Sequence, residues 1–415
     1  FLYFIEILML HASNVSSPPP LLTPPATFVV MVEPVSFYSN PVTAETNTYQ
    51  MVSAPLVADS DAAIREHRLV ATRLANEYHV DVLDISGRTN SENLSLLASH
   101  QEDTTKDGGE NLPCSEGPLA NKPDAVFPNN SFSMHTFSSA SAHRPPLVVL
   151  YPMSPGRRDE IPECLLREWN TKASTGALTV LDLRHTCAGA LEGTGAINFT
   201  HDGRAVFVSL SPRADRDVLE HRLLSTDGGG LGLSAESVTD VFVFRSTDEA
   251  GVLVYHTNVV GWTGRGICAW CWESMQFDTE KERARCESFL IHNVCGGDSK
   301  KFLTLTRAQM RHFCGNAIEV INRKGASILC MSSAAWRGYT EAQQHILLAH
   351  YGGTSHIAIC DIPTIERLGG GSLRCLLAAS ISHHGVSAVA ADAALPEGTH
   401  HTLPCGSGLR NIFFQ

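Results

Sequence analysis

What this chain can fold into is constrained most by a recurrence that begins at Thr27: an apolar run, a turn, in places a second run, a stretch with apolar residues at helical spacing, and another apolar run. Phe28–Val32 reads as a strand, Ala62–Tyr78 as a helix and His79–Ile85 as a strand again. A second unit starts at Val126 and passes through the strand Leu147–Tyr151 and a helix over Glu160–Trp169 to the strand Leu178–Leu183. The third pairs Ala196–Phe199 with Ala205–Leu210 and ends at Asp240–Phe244; the fourth holds the runs Val252–Val259 and Ile267–Trp272 and closes at Ser327–Met331. The fifth has a helix over Thr340–Leu348, the strand Ile357–Cys360 and the segment leading to Cys375. Five such units predict a cyclic α/β repeat, because one unit cannot bury its apolar face alone and must stack it on its neighbours.

Composition narrows the partners. The formal charge of -12, from 43 acids against 31 Lys plus Arg, and the lack of any basic run argue against a nucleic-acid surface and for a small-molecule substrate. Twelve cysteines spread over 415 residues form no tight framework, which fits reduced thiols and a cytoplasmic location. The apolar stretch Phe1–Leu10 is too short to span a bilayer and lacks the flanks of a signal peptide, so no membrane partner is expected. Residues 90–124 and 276–300 read as insertions. Gly228-Gly-Gly230 is not followed by Lys-Ser/Thr and reads as a loop. Cys268-Ala-Trp-Cys271 has the C-x-x-C spacing, but its next cysteines, Cys286 and Cys295, are wrongly spaced for zinc, and no metal or organic cofactor is expected.

One segment carries candidate chemistry by its own residues. In Gly369-Gly-Gly-Ser-Leu-Arg-Cys375 the glycines give the backbone access to positive φ and let its amides approach a ligand. Cys375 follows at the mouth of an apolar run that reads as a buried strand, and Arg374 beside it would lower the thiol pKa if the two side chains converge. The plain alternative is a glycine turn before an inert core cysteine.

Taken in order, Phe127-Pro-Asn-Asn130, Leu191-Glu-Gly-Thr-Gly195, Tyr255-His-Thr-Asn258 and the Gly369–Cys375 segment resemble the arginine deiminase and amidinotransferase superfamily over about residues 27–380. The pieces Val32-Glu-Pro34, Asn40–Asn47, Ser211-Pro-Arg213 and Gln309–Asn316 are similar to its branch containing citrulline-utilisation hydrolases. The resemblance implies a five-bladed α/β propeller (pentein) of pseudo-fivefold ββαβ repeats, a single catalytic domain over 27–382. The Pro- and Ser-rich stretch 16–25 makes 1–26 a disordered lead, and the lack of any repeat pattern after Ser380 makes 383–415 an irregular tail. The tail's His383-His384 and His400-His401 are expected to be solvated.

The same resemblance makes Cys375 the nucleophile, His256 the general acid/base and Glu192 the carboxylate that orients His256 and raises its pKa. It places Asn129, Asn130, Asn258, Arg213, Gly370, Gly371 and Arg374 around the substrate. Arginine-cleaving members usually carry Asp where Asn130 and Asn258 stand here, and a neutral amide suits a ureido group better than a guanidinium cation. Ser131 stands where the branch has Trp, which alters one pocket wall. The expectation is a cysteine-dependent hydrolase with citrulline as first substrate. Dimethylarginine hydrolase, arginine deiminase, amidinotransferase and a non-catalytic amino-acid-binding relative remain as alternatives, and a homodimer is left open.

Overall fold

Phe28–Val32 (β1) is built from β-branched and large apolar residues and is buried along its whole length, as a strand covered on both faces must be. In the computed structural model, which describes residues 26–34, 37–53, 57–85, 122–138, 145–186, 188–225 and 238–384, β1 pairs in parallel with Asp81–Ile85 (β2). The helix Val57–Asn76 (α1) makes that crossover and buries Ile64, Val70 and Leu74. On its other edge β1 pairs antiparallel with Ala378–His384 (β16), so the two ends of the described chain lie in one sheet.

The described residues form five three-strand sets of this kind, in each of which a middle strand has the antiparallel strand of its set on one side and the parallel strand that follows it by a crossover on the other. Phe132–Ser138 (β3), Leu147–Leu150 (β4) and Thr179–Asp182 (β5) make the second set, with Glu163–Ser174 (α2) as the crossover. Ile197–Phe199 (β6), Ala205–Ser209 (β7) and Asp240–Ser246 (β8) make the third set. The fourth is Gly261–Gly264 (β9), Ile267–Trp270 (β10) and Phe302–Thr304 (β12), with Met275–Gln276 (β11) reaching back to β8 and Glu280–Phe289 (α3) between. The fifth is Ile318–Ile321 (β13), Ser327–Ser332 (β14) and Ile357–Cys360 (β15), crossed by Glu341–Tyr351 (α4). The first two sets share a six-stranded sheet through β16 and β3, the other three are separate sheets, and among the described residues no sheet closes on itself.

The structure changes the expected division of the chain. Each set opens with its antiparallel strand, and for the first set that strand is supplied by β16 at the far end. A strand is expected after Cys375, but its reach to His384 and its place beside β1 have no apolar signal, because Ala378 and Ala379 are held by pairing with β1 and Ser380–His384 by pairing with β3. The boundary expected at 382/383 therefore cuts a strand, and His383, expected to be solvated, is 1% exposed with its Nε2 2.8 Å from His135 Nδ1. The run Val252–Val259 is not a strand: Thr257–Val260 forms a short helical turn and the strand begins at Gly261. The charged stretch after Gln276 is ordered as α3, whose N-cap Thr279 accepts from Glu282 N. Residues 1–25 of the lead, 90–121 of the first insertion, Gly228–Gly230 and His400-His401 lie outside the described residues. No described helix is long and apolar enough to cross a membrane.

Because β16 pairs with both β1 and β3, a chain ending at Leu377 is expected to lose its cooperative thermal transition by circular dichroism. A truncated product melting like the full chain would contradict this closure.

Candidate active site

Glu192 has no solvent exposure and organises one end of the fold. It is placed by a tight backbone turn in which its N–H donates to Arg213 O and the following residues Gly193–Ala196 make a single helical turn. Gly193 sits at φ +44, and a Cβ there would run into the backbone carbonyl of Asn129, so only glycine lets this turn lie against Asn129 and Asn130. Burial opposes the Glu192 charge, yet Arg157, Arg213 and the hydrogen bond with His256 together hold its carboxyl well below the usual range. Arg157 Nη1 donates to Glu192 Oε2 at 2.7 Å, and its other nitrogens grip Glu160 at 2.8 and 3.0 Å. Ser154 Oγ donates to Glu192 Oε1 at 2.7 Å.

His256 lies before the turn Thr257–Val260, with Nε2 2.8 Å from Glu192 Oε2. A neutral imidazole must then carry its proton on Nε2, which leaves Nδ1, buried and without a hydrogen-bond partner, as the available lone pair. Glu192 raises the His256 pKa, as its charge and hydrogen bond require, but the net shift is downward. Burial, helped by the nearby guanidiniums of Arg213 and Arg157, outweighs Glu192 and lowers His256 to about 4.

Cys375 lies in the turn Leu373–Leu376, just ahead of β16, and is 2% exposed. Burial pushes its thiol pKa up, against the donors Asn316 Nδ2 at 3.3 Å and Asn258 Nδ2 at 3.5 Å. Arg374 lowers it too, but as the last of the contributing causes, so the direct activation expected from that neighbour is minor. Arg374 instead donates through Nη1 to Ala317 O at 3.2 Å, while its backbone N–H donates to Asn316 Oδ1.

Several buried polar atoms around these three side chains have no hydrogen-bond partner: both amide atoms of Asn129, Oδ1 of Asn130, Oδ1 of Asn258 and Nδ1 of His256. A Cβ at Gly195 would collide with Asn130 Oδ1 and lie 2.9 Å from His256 Nδ1, so those two atoms face the same small space. Buried amides are almost always bonded, and a set left open beside a thiol is what a polar, planar ligand would complete. The chemistry on offer is a thiol, a proton acceptor with a fixed tautomer, and amide groups that both donate and accept.

The other expected site residues are used differently. Arg213 is 3% exposed and donates to Thr43 O at 2.9 Å and Thr46 Oγ1 at 2.8 Å, tying the Asn40–Gln50 segment to Glu192. Gly370, at φ +62, ends the helix Pro363–Gly369 (α5), gives its N–H to Glu366 O and accepts from the Tyr255 hydroxyl. Its amide is thus spent inside the protein. Gly371 lets the Phe127 ring approach the backbone beside Cys375. Ser131 Oγ donates to Pro128 O at 3.1 Å. Sequence reasoning singled out neither Arg157 nor Asn316. Asn316 could have been found as the last residue of the Gln309–Asn316 piece, but Arg157 follows only Pro-Gly and carries no local signal.

Two outcomes follow from the buried charges. Alkylation of Cys375 by a haloacetamide, followed by peptide mass spectrometry, should accelerate with pH and inflect above about 8.5, the ordinary thiol value, because a raised pKa delays the thiolate; an inflection near or below neutrality would contradict the burial argument. Arg157→Met should cost about 3–5 kcal/mol in urea unfolding, since it leaves Glu192 and Glu160 buried without their partner. A loss below about 1 kcal/mol would mean that water or another cation takes its place.

Among solved structures, ArgZ, an arginine dihydrolase from the ornithine-ammonia cycle in cyanobacteria, superposes in its apo form with a TM-score of 0.56 at 14% identity, over 87% of this chain and 42% of that one. Unliganded AgrE gives 0.55 at 16% identity, over 86% and 40%. The product-bound N-terminal domain of ArgZ gives 0.54 at 14% identity, over 87% and 99%. The chain therefore spans less than half the length of whole ArgZ and AgrE and nearly all of that ArgZ domain, and at such identities the likeness shows the fold. No curated protein sequence matches the chain. A family model described as N,N dimethylarginine dimethylhydrolase, eukaryotic, matches residues 113–382, from ahead of β3 to within β16 and more than half of the sequence, and the protein belongs to that family.

Proposed function

We propose that the protein is a cysteine-dependent hydrolase acting on the terminal guanidino or ureido carbon of an arginine-like amino acid. The observation that carries this reading is the set of unpartnered amides around a thiol and a tautomer-fixed histidine. The Cys375 proton passes to His256 Nδ1; the thiolate then attacks the planar carbon and forms an S–C bond. The histidine returns the proton to the departing nitrogen as the C–N bond breaks, then accepts a proton from the water that releases the thiolate. Glu192 holds the imidazole and stabilises its charged form through each transfer. The five recurring strand sets support a five-bladed α/β propeller as the frame, with these loops gathered at one end.

The substrate reading follows from charge. Among the described carboxylates near the thiol, Glu192 is held by Arg157 and His256, Glu366 accepts from Ser372, and Asp124 Oδ2 accepts from Asn40 and Thr43. A buried guanidinium would find amides where it needs counter-ions, whereas a ureido group can bond to them at lower desolvation cost. Citrulline is the first substrate on this ground. A second reading, an N-methylated arginine, is favoured by membership of the dimethylarginine dimethylhydrolase family. In that case Asp124, whose Oδ1 is buried without a hydrogen-bond partner, is the acid to meet the cation.

Mass spectrometry of products, with citrulline, arginine and methylated arginines offered separately, should give citrulline the highest kcat/KM. The double variant Asn130→Asp, Asn258→Asp should move the preference toward arginine. If a methylarginine wins and Asp124→Asn abolishes its turnover, the amide argument fails and the second reading stands. His256→Ala should lower kcat by roughly 10² or more on either substrate; a change confined to KM would make His256 a binding residue.

A further inference from the structure

A second polar cluster lies where α1 crosses the ends of β1 and β2, on residues the proposed chemistry does not use. His67, on the inner face of α1, has no solvent exposure, and neither of its ring nitrogens has a hydrogen-bond partner. That is a costly arrangement for an imidazole unless something absent from the protein atoms satisfies it. Its Nδ1 is 3.8 Å from Asp84 Oδ1, too far for a direct hydrogen bond. Glu33, 4% exposed at the end of β1, supplies the third group, and one donor atom from each of the three lies within 4.8 Å of the others.

We propose that Glu33, His67 and Asp84 form a structural site for a divalent cation of the zinc class. With bonds of about 2.1 Å to nitrogen and oxygen, a separation of 3.8 Å corresponds to an angle of about 130° at the metal, within the range of a distorted tetrahedral centre. One imidazole nitrogen with two carboxylate oxygens suits zinc better than calcium or magnesium, which take oxygen alone. Neither ring nitrogen of His67 is engaged by a protein group, so the neutral imidazole has a lone pair to offer an ion. Arg68 grips both Glu33 oxygens, at 2.7 and 2.8 Å, and fixes the carboxylate from behind as an outer partner does in such centres. The site departs from the metal-free expectation because its ligands are scattered over the sequence, with no short motif to announce them. A metal here pins α1 to the sheet at the point where β1 gives way to the segment carrying Asn47, which packs against Gly370.

The test is a cobalt(II) titration of the chelator-stripped full chain carrying Cys375→Ser, so that the proposed nucleophile cannot bind the ion. The expected result is one saturable equivalent with visible d–d bands and no thiolate-to-cobalt charge-transfer band, displaced by zinc, and weakened at least roughly 10-fold by His67→Gln and by Asp84→Asn. Asp84 lies on a strand that is not fully buried, so its variant decides the matter if His67→Gln does not fold. Absence of saturable binding, a thiolate band, or binding unchanged in Asp84→Asn would each overturn the site; the first would leave a bridging water as the partner of His67.

Discussion

The interior of the site end is organised by charge that has nowhere else to go. Glu192, Glu160 and Asp124 are all buried, and Arg157 reaches every one of them, directly to the first two and at 3.8 Å to the third. Arg213 adds a second buried guanidinium. With three carboxyls against two guanidiniums the cluster carries surplus negative charge, and it is Glu160 whose carboxyl burial pushes up to about 7, where a proton can absorb the excess. Such a cluster gives little net stability against an apolar core of the same volume, but losing any member is severe because the others stay buried. Its value lies in position: one guanidinium fixes Glu192, Glu192 fixes a tautomer of His256, and the same cluster holds Asn40 and Thr43 through Asp124.

The fold explains why residues so far apart in sequence meet. The Glu192 turn precedes β6, the His256 turn precedes β9, Asn316 precedes β13, and Cys375 precedes β16, so each side chain sits just ahead of the antiparallel strand that opens a set. Repetition of one unit thus produces repeated loops at the same end, and different residues can be placed on each without disturbing the frame. Burial is what these loops share. It lowers His256 and raises Cys375, which favours the uncharged thiol and imidazole in the free protein; in the proposed mechanism the charged pair forms as substrate enters.

Much of this was legible in the sequence, unevenly. Cys375, His256 and Glu192 were readable because each lies in a short piece with its own glycine or aromatic context, and the pieces occur in one order. Strands such as β1 and β14 were readable because continuous apolar runs bury both faces. β16 was readable only at its start, as the strand expected after Cys375; its polar part to His384 was not, since such residues become a strand only when neighbours pair with them. Arg157 was not, since its three acids come from Pro123–Val126, from the end of its own loop and from Glu192. The effect of Glu192 on His256 was legible, but the net shift was not, because one carboxylate neighbour can be seen in a motif while full burial and two guanidiniums cannot.

The central claim is that the substrate carbon becomes bonded to Cys375. The direct measurement is rapid acid quench during turnover of citrulline or a methylated arginine, followed by peptide mass spectrometry of the protein. The account expects an adduct on the peptide containing Cys375 that appears before product accumulates and is absent in Cys375→Ser. Sustained turnover with that peptide unmodified, or an adduct on any of the other cysteines, would contradict it.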